Sequence, residues 1–150
     1  MAEDLVSNRK AFYNYEILDT FEAGIVLVGT EVKSLRQHGG NLQESYVIFN
    51  EDGAYLKLAS ISPYKFGNLF NHEEKRERKL LLHKREISKL RSATTEKGLT
   101  VIALSFYLKQ GKIKVKLALA KGKKTYDKRD ALKKREHDRQ IDRSLKNLDD

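Results

Sequence analysis

The sequence predicts a mainly β (α+β) protein: a small closed antiparallel β-barrel carrying two or three short helices and ending in a basic C-terminal tail. Two observations carry the barrel. Short β-patterned runs follow one another at hairpin spacing, with few long crossovers between them, which argues an antiparallel sheet. One small core with no sign of a second sheet is then closed most economically by a barrel, which removes exposed edges. The third observation defines the tail. From Lys112 to Arg135 the chain holds eleven of its 30 basic residues and only Asp127 and Asp130 as acids. That stretch alone carries a net +9, the formal charge of the whole protein. We place the barrel domain at residues 1–120 and the tail at 121–150.

Taken in order, Met1 to Ser7 shows no pattern and is expected to fray. Asn8-Arg9-Lys10-Ala11 precedes an aromatic group, Phe12, Tyr13 and Tyr15, and Tyr15 to Phe21 reads as a strand. Glu22-Ala23-Gly24 reads as a turn, and Ile25 to Val28 as a short buried strand stopped by Gly29. Thr30 is placed to cap a helix over 30–36 that closes at Gly39-Gly40. Val32 and Leu35 would face the core, with Glu31, Lys33 and Arg36 outward or at the rim.

Asn41 to Ser45 reads as a helical turn or loop before a strand at Tyr46 to Phe49. Asp52-Gly53 is a strong hairpin signal, so Ala54 to Ile61 is its return strand, ended by Pro63. Tyr64 to Asn71 reads as a loop, and His72 to Arg78 as an exposed charged run. Leu80 to Leu82 is either a strand or a helix entry. Ile87, Leu90 and Arg91 sit at helical spacing, and Glu96-Lys97-Gly98 breaks the chain before a strand at Val101 to Leu108. Gln110-Gly111 turns into the last strand, Lys112 to Ala120. There Ile113, Val115, Leu117 and Leu119 alternate with Lys112, Lys114, Lys116 and Ala118: a half-buried strand with a cationic outer face.

Composition narrows the function. There is no cysteine, which removes disulfides and thiolate metal sites, and no apolar run approaches a membrane span. A pI near 9.6 and clustered cations suit a nucleic-acid partner in the cytoplasm. Small barrels of the oligonucleotide-binding (OB) type offer a basic sheet face for that purpose. Lys114 and Lys116 read as phosphate contacts, since their charge continues into Lys121, Lys123 and Lys124. Their bland alternative is an ordinary solvated strand face. No catalytic constellation is legible: His38, His72, His83 and His137 lack metal-ligand spacing, and Gly122-Lys123-Lys124-Thr125 lacks the first glycine of a phosphate loop. We therefore expect no enzyme, no metal and no cofactor.

The tail favours helix by composition, yet its first half has almost nothing to bury. It is expected to be disordered when free and to fold when phosphates screen its charge. Tyr126, among cations, can stack on an unpaired base for roughly 1–3 kcal/mol.

Several motifs in order resemble the SsrA-binding protein (SmpB) family, the partner of transfer-messenger RNA in bacterial ribosome rescue. They are Asn8 to Ala11, Phe21 to Gly24, Gly29 to Arg36, Ser45-Tyr46, Arg78 to Leu82 and Ala120 to Lys124 followed by Asp127-Lys128-Arg129. The resemblance covers residues 8 to about 146. It implies a barrel with partial OB likeness that binds the tRNA-like domain of transfer-messenger RNA. It also implies a tail that works in the decoding centre and the empty messenger channel of the ribosome.

Carried onto this sequence, the RNA-facing candidates are Asn8, Glu22, Leu81, His83 and Lys114. Arg9, Lys33, Arg36 and Lys116, cations in or beside the same motifs, complete the set. The ribosome-contacting candidates are Lys121, Gly122, Lys123, Lys124, Tyr126, Asp127, Lys128, Arg129, Lys133, Lys134 and Arg135. A monomer is expected. The alternative is a general RNA-binding or ribosome-assembly factor with an analogous barrel.

Overall fold

The computed structural model describes residues 3–67 and 71–122. Among them run, in order, β1 (Glu3–Ser7), α1 (Ala11–Asn14), β2 (Tyr15–Ile25), α2 (Gly29–Arg36), β3 (Gly40–Asn41) and β4 (Tyr46–Asn50). They are followed by β5 (Gly53–Lys57), β6 (Ser60–Ile61), β7 (Arg78–Leu81), α3 (Lys84–Glu96), β8 (Thr100–Lys109) and β9 (Lys112–Gly122). Seven strands form one antiparallel sheet in the order β1-β8-β9-β2-β7-β5-β4, while β3 and β6 pair separately. The mainly β class with three short helices is thus seen.

A closed barrel is not. The hydrogen-bonded order ends at β1 and β4, and no ladder joins its ends among the described residues. The sheet curls until β4 lies near β8. A depression of about 400 Å³, lined by Tyr46 to Phe49 of β4, Arg91 and Thr94 of α3 and Thr100 of β8, occupies the place where the two meet.

The β8–β9 hairpin follows its turn chemistry. Gln110 and Gly111 both take positive φ (52° and 76°), as a two-residue turn matched to strand twist requires, and Lys109 pairs with Lys112 across it. At the β4–β5 hairpin the turn is Glu51-Asp52, one residue earlier than the Asp52-Gly53 signal places it, and Gly53, at φ 134°, already pairs with Asn50.

In β9, Val115 and Leu117 are fully buried in the main core with Ala23, Leu35, Phe106 and Leu90. The opposite face is cationic only as far as Lys116. Beyond it Ala118 and Ala120 are also fully buried, in a second cluster with Ala11 of α1, Ile102 and Leu104. A register shift between Ala103 and Ser105 makes Leu104 a bulge. The extra residue changes which positions face the core: Ala103 does before it and Phe106 after it.

Five expectations are corrected. Residues Glu3–Ser7 are a strand on the edge of β8, because Leu5 and Val6 bury there. Glu22 to Gly24 is no turn but part of β2, near its C-terminal end, since β9 offers ladder partners along the whole stretch: Glu22 opposite Lys116, Ala23 opposite Val115 and Gly24 opposite Lys114. Val26 and Val28 are exposed in the link to α2, not in a buried strand. The return from the β4–β5 hairpin is broken at Leu58, whose φ of 61° ends β5 and redirects the chain into β6. Finally, α2 is not capped by Thr30: the carboxylate of Glu31 accepts the Val28 N–H at 2.8 Å.

The same carboxylate overturns two further readings. Glu31 and Arg78, placed outward by sequence, are both fully buried and paired with each other. Arg76 donates to Glu31 at 2.6 Å, and Arg78 also donates to the carbonyls of Ala59 (2.8 Å) and Glu74 (3.0 Å). Burial pushes the Glu31 pKa up, but the hydrogen bonds from Arg76, Val28 and Arg78 outweigh it and hold the carboxyl below its ordinary value. Thr30 Oγ lies 2.8 Å from His72 Nδ1, whose Nε2 lies 2.8 Å from the Ile61 carbonyl. These bonds tie the first turn of α2 to the segment entering β7.

Candidate nucleic-acid interface

The outward face of β8, β9 and β2 is built from two cross-strand rows. Ser105, Lys116 and Glu22 lie opposite one another in the first, and Tyr107, Lys114 and Gly24 in the second. Leu81 of β7 extends the second row, opposite Gly24. The strands approach closely there: a Cβ on Gly24 would stand 3.1 Å from the Leu81 Cβ, so a side chain at this position would press on Leu81. Leu81 is 55% exposed although apolar, while its neighbour Leu80 is 2% exposed in the core. A large apolar side chain held in water on a lysine-bearing face is a surface for a flat, partly apolar group such as a nucleobase.

Two carboxylates border this face, Asp4 of β1 opposite Tyr107 and Glu22 of β2, and Glu22 is the one held by hydrogen bonds. Tyr107 donates its O–H to Glu22 at 2.6 Å, and the Lys109 ammonium stands 3.1 Å away. The hydrogen bond from Tyr107, then that from Lys109, lowers the Glu22 pKa. Burial and the adjacent carboxylate push the Tyr107 phenol up, so at neutral pH it stays a donor. Glu22 is therefore an oriented acceptor, able to take N–H or ribose O–H donors from a nucleic acid while the lysines face phosphates.

Beside these rows lies a concavity of about 450 Å³ whose walls include Asn8, Arg9, Phe12, Glu22, Ser105, Tyr107 and Lys116. Asn8 is 3% exposed, and its amide donates to the carbonyls of Leu42 (2.9 Å) and Ala103 (3.0 Å). Among the described residues its Oδ1 has no hydrogen-bond partner, leaving a buried acceptor at the wall of the concavity. Asn8 thus first ties β8 to the chain before β4. Arg9 is exposed at the rim.

The sequence-predicted residues therefore divide. Glu22, Leu81, Lys114 and Lys116 share one face, with Asn8 and Arg9 at its concavity. His83 is exposed two residues beyond Leu81, at the N-cap of α3, where its N–H donates to Glu86 at 3.2 Å. Lys33 and Arg36 are exposed on α2, which packs through Leu35 on the core side of the sheet, away from that face. Lys121 and Gly122 belong to β9, paired with Glu16 and Tyr15. The other tail candidates, Lys123, Lys124, Tyr126, Asp127, Lys128, Arg129, Lys133, Lys134 and Arg135, lie outside the described residues.

Three contributors went unread in the sequence: Tyr107, Lys109 and Ser105. The bulge at Leu104 conceals them, because unbroken alternation from Val101 and Ala103 inward would turn Ser105, Tyr107 and Lys109 into the core as well. Among the described residues no group of three His, Asp or Glu stands together as metal ligands, and no helix is long and apolar enough to cross a membrane.

A curled antiparallel sheet with lysines, an oriented carboxylate and an exposed leucine on one face defines a β protein whose surface suits a nucleic acid. The comparisons carry this further. The chain belongs to the SmpB protein family, whose model matches residues 5–147. The SsrA-binding protein of Chlamydia muridarum (strain MoPn / Nigg) is 56% identical over 144 residues, covering 96% of this chain and 95% of its own. That of Protochlamydia amoebophila (strain UWE25) is 58% identical over 143 residues, covering 95% and 94%. A solved structure described as "tmRNA-SmpB: a journey to the center of the bacterial ribosome" superposes with a TM-score of 0.69 at 44% identity, covering 84% of this chain and 92% of that one.

Proposed function

We propose that this protein binds the tRNA-like domain of transfer-messenger RNA and delivers it to stalled ribosomes in trans-translation. The observation that carries the reading is the convergence of Glu22, Leu81, Lys114 and Lys116 on one face, in a chain that matches the SmpB family over residues 5–147. Lys114 and Lys116 take phosphates, Glu22 takes donor groups of the RNA, and Leu81 packs on an exposed base or sugar. Asn8 and Arg9 act at the concavity beside them, and His83 extends the surface toward α3. Folded RNA is gripped largely by shape and backbone, which suits a scaffold with few base-specific groups.

The curled sheet serves as an OB-like barrel whose seam lies between β4 and β8. The chain acts as a monomer in the cytoplasm, and its part in rescue is binding, with no covalent step of its own. Residues 121–150 form the ribosomal arm. Lys121 and Gly122 lead out of β9. Lys123, Lys124, Tyr126, Asp127, Lys128, Arg129, Lys133, Lys134 and Arg135 enter the decoding centre and the empty messenger channel, folding there as a helix in place of a codon–anticodon pair.

Competition binding tests the reading. A tRNA-like fragment of transfer-messenger RNA outcompetes bulk transfer RNA by at least about a hundredfold, in line with specific over non-specific affinities. Equal competition would instead identify a general RNA-binding or ribosome-assembly factor.

A further inference from the structure

On the core side of the sheet, Ser62-Pro63-Tyr64-Lys65-Phe66-Gly67 leaves β6 without an acidic residue and lies against α2. Phe66 is 67% exposed, more than any other large apolar side chain among the described residues. Its ring stands edge-on to Tyr64 at 5.6 Å and 71°. Each ring carries a cation: Lys33 of α2 lies 5.5 Å from the Tyr64 centroid and Lys65 lies 5.9 Å from that of Phe66. Arg36 follows Lys33 by three residues, on the same side of the helix.

The outcrop is held rather than loosely hung. Asn71 accepts the Tyr64 N–H at 2.9 Å and donates to the Tyr64 carbonyl at 2.7 Å. At Gly67 a Cβ would stand 2.7 Å from the Asn71 amide and 3.2 Å from the Thr30 methyl, so the loop is seated on the first turn of α2. That turn is itself fixed by the Glu31–Arg76 ion pair and the Thr30–His72 bond. Ordering an exposed aromatic among cations in advance suits a ligand that is both flat and anionic. An unpaired RNA base with its flanking phosphates has that chemistry.

We propose that Phe66, with Tyr64, Lys33, Arg36 and Lys65, forms a second RNA-binding site that stacks on an unpaired base of ribosomal RNA. The inference rests on the proposed function, in which one RNA is carried and another is met. The ribosome is the assigned source because α2 packs on the core side of the sheet, whereas Lys114 and Lys116 point from the other side. An RNA seated on their face leaves this outcrop free.

The test uses the full-length protein in two arms, binding to the tRNA-like fragment and binding of the protein–transfer-messenger RNA complex to ribosomes. Phe66→Ala leaves the first arm within about twofold and weakens the second by about fivefold to a hundredfold, the loss of one stacked base. Phe66→Trp retains both. Phe66→p-benzoylphenylalanine crosslinks to ribosomal RNA on irradiation. Weakened fragment binding by Phe66→Ala, an unchanged ribosome arm, or a crosslink to a ribosomal protein would each overturn the proposal. Failure of the wild-type protein to prefer the fragment would overturn the functional reading instead.

Discussion

Replacing Glu31 with alanine strands the guanidinium of Arg78, a residue with no exposure, in the core. The structure sets the magnitude. Arg78 keeps its bonds to the Ala59 and Glu74 carbonyls, but neither neutralises its charge. Breaking a buried pair from one side costs about 3–5 kcal/mol. Loss of the Val28 N–H acceptor removes a helix cap worth about 0.5–2 kcal/mol, and these terms overlap. Against a total stability of about 5–15 kcal/mol, Glu31→Ala is therefore severe.

At about 4 °C per kcal/mol for a body of this size, Tm falls by about 12–20 °C. Urea denaturation followed by circular dichroism reads the loss directly. The double variant Glu31→Ala/Arg78→Met removes the stranded charge, so it recovers a large part of that loss. A single variant that costs under about 1 kcal/mol, or a double variant no more stable than the single, would refute the reasoning. The pH dependence agrees in sign. The Glu31 folded pKa is lowered, so its contribution is present above the ordinary glutamate value of 4.5 and is lost as pH falls through the folded value.

Other outcomes follow from the outer face. Lys114→Gln/Lys116→Gln keeps the fold and flattens the salt dependence of fragment binding by about 1.4–1.8 log units per log unit of salt. Titrations at several salt concentrations measure it. Tyr107→Phe removes the first donor to Glu22, so the Glu22 carboxyl, followed by NMR, titrates nearer its ordinary value of 4.5. Its contribution to stability is then lost at a higher pH on acidification. Gly24→Ala brings its new methyl to 3.1 Å from the Leu81 Cβ, a contact that no side-chain rotation relieves, so the paired strands give by a few tenths of an ångström and Leu81 is displaced. Fragment affinity drops while Tm moves by only a few degrees, as calorimetry reads.

What could be read in the sequence was local. The β4–β5 hairpin, the Gln110-Gly111 turn, the α3 periodicity and the Val115–Leu117 core face need only neighbouring residues, and all are seen, although the first of these turns falls on Glu51-Asp52 and not on Asp52-Gly53. What escaped was long-range. Glu31 meets Arg78 across 47 positions, and nothing near either residue marks the pairing. Gly24 was read as punctuation, yet it is a strand residue, paired with Lys114 on one side and Leu81 on the other. Lys33 and Arg36 looked equivalent to Lys114 and Lys116 as cations, and only the packing of Leu35 assigns them to another side. The motifs brought Asn8 and Glu22 forward without geometry, and the bulge at Leu104 hid Tyr107 beside them.

The central claim is that the outward face of β2, β8 and β9 takes the tRNA-like RNA while the α2 side stays free. Lysine acetylation footprinting, read by mass spectrometry with and without the tRNA-like fragment, tests it most directly. The account predicts that RNA shields Lys114 and Lys116 and leaves Lys33 and Lys65 as reactive as in the free protein. Shielding of Lys33 and Lys65 with Lys114 and Lys116 still open would contradict it.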